Sequence, residues 1–182
     1  MARPALALAL LAVLLLAACG GDDGGGASEE YANDVCSNLS TWVTDVQQTT
    51  TSLTDAGLAT DREDIESAVQ DVGDATDTLV EDLDALGPPE TEDGRAAKAE
   101  LDRLATELRT QVDAVQKAVD SGGGPAAVAA SVLTAVSSAA DAVDSTFQNL
   151  RELDPAGELQ DAFENAEECK DLRDQVEQIR SD

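Results

Sequence analysis

"YANDVCSNLSTWVTDVQQTTTSLT", residues 31–54, places apolar side chains at Val35, Leu39, Trp42, Val46 and Leu53. Steps of 4, 3, 4 and 7 keep these on one face of a helix with 3.6 residues per turn; a half-buried strand would alternate at every second residue. The same period recurs along the chain. A second helix is predicted to open at Thr60-Asp61-Arg62-Glu63, where the Thr hydroxyl and the Glu carboxylate form a capping-box pattern. It carries Ile65, Val69, Val72, Leu79, Leu83 and Leu86 and stops at Gly87-Pro88-Pro89, because proline lacks an N–H and drives its predecessor out of the helical region. A third spans 91–120 with Ala97, Leu101, Leu104, Leu108, Val115 and Val119, and "SGGGP" at 121–125 breaks it. A fourth runs over 125–153 with Val128, Val132, Val136, Val143, Phe147 and Leu150. Asp154-Pro155 reads as an N-cap followed by proline at the first helical position of a fifth, with Leu159, Phe163, Ala166, Leu172, Val176 and Ile179. Four helices of about 25–29 residues, each about 40 Å long and joined by short loops, predict an all-α fold. The expected arrangement is an antiparallel up-down bundle of four long helices plus a fifth, C-terminal helix.

Composition removes several function classes. The net charge is −27, and such a surface repels nucleic acid, whose binding depends on Lys and Arg neutralising phosphates. Histidine is absent, which excludes an imidazole general base, the usual zinc and haem ligands and the Glu-x-x-His pairs of di-iron bundles. Without histidine only a Ser–Lys arrangement could activate a hydroxyl, and Lys98, Lys117 and Lys170 show no Ser-x-x-Lys spacing. The chain is therefore expected not to be an enzyme, and no cofactor is expected.

Residues 5–18 form an apolar run behind Arg3, about 14 residues long where a membrane-spanning helix needs about 20. That is the layout of a signal-peptide core. The run ends in Leu16-Ala17-Ala18-Cys19, which resembles the lipobox of bacterial lipoproteins at every position. The resemblance implies cleavage before Cys19 and a diacylglyceryl group on its thiol, often with a further acyl chain on its amino group. Two chains make a sufficient tether where one gives only marginal binding. The expected organisation is a signal peptide over 1–18, a flexible Gly/Asp tether with lipidated Cys19 over 19–28, and a helical domain over 29–182. The cysteine near the start of the first helix and the "DPAGEL…AF…A…C" ending also resemble small helical lipoproteins of actinobacteria, a likeness that implies address and fold but brings no activity. The implied location is the extracytoplasmic face of the cell membrane.

Cys36 and Cys169 make an even pair in an exported chain, which reads as a disulfide in preference to two buried free thiols. In an up-down layout Cys36 lies about 10 Å from one end of the bundle, and Cys169 about 20 Å along a straight fifth helix. Bonded cysteines need Cα atoms within about 7 Å. The fifth helix is therefore expected to cross obliquely or to break near Asn165.

Two stretches are candidates for binding. Asp71, Asp74, Asp77 and Glu81, continued by Asp84, share one face of the second helix and would be relieved by a divalent cation, or by the bases of the third helix. Residues 126–140, "AAVAASVLTAVSSAA", carry no charge, and Ala127, Ser131, Ala135 and Ala139 recur four apart as a small-residue ridge. Composition favours burial of this segment, with an exposed docking surface as the competing expectation. The function expected is a non-enzymatic, membrane-anchored envelope lipoprotein acting as an interaction module, with an envelope protein as partner. The alternative is an extracytoplasmic cation- or small-ligand-binding protein.

Overall fold

The computed structural model describes residues 23–56, 62–122, 124–153 and 157–181. It is all-helical, with no strand among the described residues. The helices are α1 (Asp23–Ala56), α2 (Arg62–Ala85), α3 (Glu92–Asp120), α4 (Pro125–Leu153), α5 (Glu158–Asn165) and α6 (Glu167–Ser181). The Thr60-Asp61 cap predicted for the second helix lies outside the described residues, as do the signal segment and Cys19.

The ends of α3 and α4 follow from their sequence. Thr91 caps α3, its hydroxyl accepting from the Gly94 N–H at 2.9 Å, which satisfies one of the donors that a helix start leaves free. Pro125 opens α4, where its missing N–H costs nothing, and the Gly124 carbonyl accepts from the Ala127 N–H at 2.8 Å. Gly94 is buried, and a Cβ on it would lie 2.2 Å from the Pro89 carbonyl oxygen. Gly94→Ala is therefore expected to destabilise the fold by about 1–3 kcal/mol in urea unfolding, the usual cost of forcing an atom into filled space. Gly87→Ala, with nothing within 4 Å of its added methyl group, is expected to stay within about 0.5 kcal/mol of the parent.

One expectation is corrected. Residues 23–28, expected in the flexible tether, belong to α1, and Ser28 is buried. The amphipathic stripe behind them continues the helix, and an aspartate at its first position is favoured by the helix dipole. The start predicted for the fifth helix at Asp154-Pro155 lies outside the described residues; α5 is described from Glu158. Gly157 precedes α5 with φ 104°, a left-handed conformation that glycine adopts without steric cost.

The predicted break near Asn165 is present. Ala166 is extended (φ −52°, ψ 131°) and divides α5 from α6. Breaking a helix strands carbonyls at its C-terminal end, and here two cations from the next helix reach back to them. Lys170 Nζ donates to the Asn165 carbonyl at 2.6 Å, and Arg173 Nη2 donates to that of Glu164 at 3.1 Å. The bend lets α6 meet α1, where Cys36 and Cys169 are bonded with Cα atoms 4.9 Å apart.

Neighbouring helices in the sequence pack on one another: α1 on α2, α2 on α3, and α3 on α4. Both α5 and α6 touch α1 and also α4, and so pack between the first and last long helices. The interior has two parts. The larger, around the disulfide, is filled by long side chains such as Leu39, Leu83, Leu101, Leu104, Leu150 and Phe163. The smaller is built from Ile65, Val69, Val115, Val119 and Val128, with Leu53, Val132 and Ala135 packed against it.

Candidate functional site

Where the two interiors meet, α1–α4 line a half-open apolar pocket of about 60 Å³. The larger interior contributes Trp42, Val46 and Leu108 to its wall, and the smaller contributes Leu53, Val69 and Val132. Its origin is steric. Around the disulfide, leucine and phenylalanine side chains reach across the interior, whereas at this level the facing positions are mainly valine and alanine, too short to meet. The lining bears no charged residue; Thr49, Thr50 and Gln111 are its polar members.

Trp42 is held rigidly in this wall. Its indole N–H donates to Thr76 Oγ1 at 3.0 Å, and Thr76 in turn donates to the Val72 carbonyl at 2.7 Å. Both residues are buried, so the chain of bonds leaves neither polar group unsatisfied and fixes the orientation of the ring.

Sharing Trp42, Val46, Thr50, Val136 and Ala139 with this pocket is an open cleft of about 550 Å³, lined by α1, α4 and α6. Val176 and Ile179 of α6 close part of it, and Leu133 of α4 stands on its edge. Leu133 is 61% exposed, the large hydrophobic residue left in solvent among the described residues. The uncharged segment of α4 is thus divided. Val128, Ala139 and Ala140 are buried and Val132, Ala135 and Val136 half-buried, while Ala127, Ala130, Leu133, Thr134 and Ser137 face outward. The small-residue ridge is not a single face: Ala127 is exposed, Ser131 and Ala135 are half-buried, and Ala139 is buried. Residues four apart turn by about 40° at each step, so three steps carry the ridge about 120° around the helix.

The acidic stripe is a solvated face. Asp71, Asp74, Asp77, Glu81 and Asp84 are all exposed. Arg109 Nε pairs with Asp77 at 3.1 Å and Lys98 Nζ with Asp84 at 2.8 Å, so bases of α3 offset part of the charge. The hydrogen bond from Lys98 holds the Asp84 carboxyl below its usual range. No group of three or more His, Cys, Asp or Glu is placed to hold a metal ion among the described residues.

Tyr31 is the sole tyrosine of the chain. Its ring meets Phe163 edge-on at 6.3 Å, and its hydroxyl is buried without a hydrogen-bond partner among the described residues. Burial pushes the phenol up from its ordinary 10 to about 12; nearby Lys98 partly opposes the shift. The unfolded chain deprotonates first, so this contribution to stability is complete below pH 10 and is lost as pH rises toward 12. Ultraviolet titration is expected to show a phenolate midpoint near 12 in the folded protein and near 10 in urea. Tyr31→Phe, which removes an orphaned polar atom, is expected to leave stability unchanged or raised.

No family model matches the chain, and no curated protein or solved structure matches it either. No described helix is long and apolar enough to cross a membrane. Sequence reasoning missed the open cleft and the exposure of Leu133. The pocket lies where the stripes of the second, third and fourth helices change from leucine and phenylalanine to valine.

Proposed function

We propose that the chain is a non-enzymatic lipoprotein of the cell envelope, anchored through Cys19 on the extracytoplasmic face of the membrane, and that it acts by binding a protein partner. The long helices α1–α4 run antiparallel in this reading. Between α2 and α3 the pairs Asp84–Lys98, Asp77–Arg109 and Arg62–Val119 fall in residue number on one helix as they rise on the other, which supports the opposed directions.

The observation that carries the reading is the cleft between α1 and α4, with Leu133 on its edge. Along the same two helices α6 is already packed as a helix. The open continuation suits an apolar, uncharged helix of an envelope protein, laid in line with α6 as helices occupy hydrophobic grooves. Elsewhere the surface is dominated by carboxylates, whereas the cleft lining bears no charged residue and offers a neutral contact.

A photo-reactive residue at Thr134 in living cells tests this. The expected product joins the chain to one envelope protein through an apolar helical segment, is lost on Leu133→Glu, and does not form from the exposed Glu107 of α3. Equal capture from both positions, or capture insensitive to Leu133→Glu, would overturn the partner reading. Cys19→Ser tests the anchor separately, by moving the protein from the membrane to the soluble fraction.

A further inference from the structure

We propose that the helical domain is a spacer that holds the partner cleft about 30–40 Å beyond the anchored end of the chain. The helix it receives then belongs to an extramembrane domain and is not a membrane-spanning one. This rests on the reading that Cys19 is lipidated and that the cleft takes a helix, and it adds which class of helix. Three observations carry it.

The first is the shortness of the link. α1 begins at Asp23, so three residues, Gly20, Gly21 and Asp22, separate it from Cys19. The Cα–Cα steps from Cys19 to Asp23 span at most about 14 Å. The first turn of α1 is thereby kept close to the acyl chains, and distance from the membrane is counted along this helix.

The second is the level of the cleft. Its α1 wall runs from Trp42 to Thr51. At a rise of about 1.5 Å per residue these lie about 28 and 42 Å along the helix from Asp23. A membrane-spanning helix of the partner would have to continue for about 19 residues into water before it reached even Trp42. A helix of an extramembrane domain needs no such extension.

The third is the division of charge along one side of the molecule. Closer to Asp23, a second open cleft of about 640 Å³ lies between α1 and the α5–α6 break. Glu29, Asp34, Glu167 and Glu168 line it, against one cation, Lys170. Its α1 wall, Glu29 to Ser37, lies about 9–21 Å from Asp23. The partner cleft has no charged residue in its lining, and α1 carries none over 46–54. Both clefts lie along α1 and α6, so laying the neutral one on a bilayer would press the acidic one against it. Anionic headgroups repel that contact. The exposed Asp71, Asp74, Asp77 and Glu81 of α2 oppose a second way of lying down.

The lipidated chain in phosphatidylcholine–phosphatidylglycerol vesicles tests the spacing. A fluorescent side chain is placed at Glu29 or at Thr51, both exposed, and energy transfer to a headgroup-linked acceptor is measured. Transfer is expected to be weaker from Thr51 than from Glu29 by about threefold or more, given their separation of about 33 Å along α1. Equal transfer means that the domain lies on the membrane; it overturns the proposal and leaves the partner reading standing. The class of partner is read from the Thr134 cross-link, where the joined residue is expected in an extramembrane segment of the captured protein. A joined residue inside a membrane-spanning helix overturns the proposal, again with the partner reading intact. Absence of any cross-link sensitive to Leu133→Glu overturns the partner reading and the partner class together, whatever the energy transfer shows.

Discussion

Reduction of the Cys36–Cys169 bond is expected to lower the stability of the folded chain by about 2–5 kcal/mol, read as a fall in the urea midpoint. The bond closes a loop across a sequence separation of 133 residues, for which chain entropy alone amounts to about 5 kcal/mol of restriction on the unfolded state. Part of the effect acts through the native state. Cys169 fixes α6 against α1, and α6 with α5 supplies the contact between α1 and α4. Both sulfurs belong to residues with no exposed surface, so a reductant reaches them only after α6 opens. Reduction without denaturant is accordingly expected to be slow, and to accelerate when urea is added below the midpoint. Cys36→Ala with Cys169→Ala should match the reduced protein in stability, and the pair makes the comparison independent of reagent.

Phe163→Ala is expected to cost about 3–5 kcal/mol, the range for removing a buried phenylalanine from a close-packed interior. Phe163 is 2% exposed, and it is the member of α5 that reaches both neighbours. Its ring meets Tyr31 of α1 at 6.3 Å and Phe147 of α4 at 6.2 Å, both edge-to-face. Truncation removes two aromatic contacts together and leaves a void between three helices. Phe163→Leu separates volume from aromatic geometry and should recover more than half of the loss. A near-neutral Phe163→Ala in thermal and urea unfolding would mean that α5 does not hold α1 and α4 together.

The helices were legible because their signals are local. The 4/3 spacing of Val35, Leu39 and Trp42, the stop at Gly87-Pro88 and the opening at Pro125 each depend on a few adjacent residues. The break at Ala166 was legible for another reason: two cysteines cannot bond unless the fifth helix bends. The Asp154-Pro155 start lies outside the described residues; the left-handed turn at Gly157 was not legible, because nothing in that pattern signals it. The packing of α5 and α6 between α1 and α4 was not legible, because an apolar stripe shows which face of a helix is buried and not against which neighbour. Where the small core residues leave a pocket was not legible either. Val46, Val69 and Val132 each satisfy a core pattern, and only their mutual facing shows that together they fall short. Of the candidate binding residues, the ridge from Ala127 to Ala139 proved to wind around α4, while Leu133, lying between stripe positions Val132 and Val136, went unnoticed.

The position of the disulfide also governs how the molecule bears load. Tension applied at the two ends of the chain passes from residue 36 to residue 169 through a covalent shortcut. The helices enclosed between those residues lie outside the force path. Only the first turns of α1 and the remainder of α6 can be peeled away, after which the contour is taut while α2, α3 and α4 remain folded. That makes the bundle mechanically inextensible and confines stretching to its terminal segments.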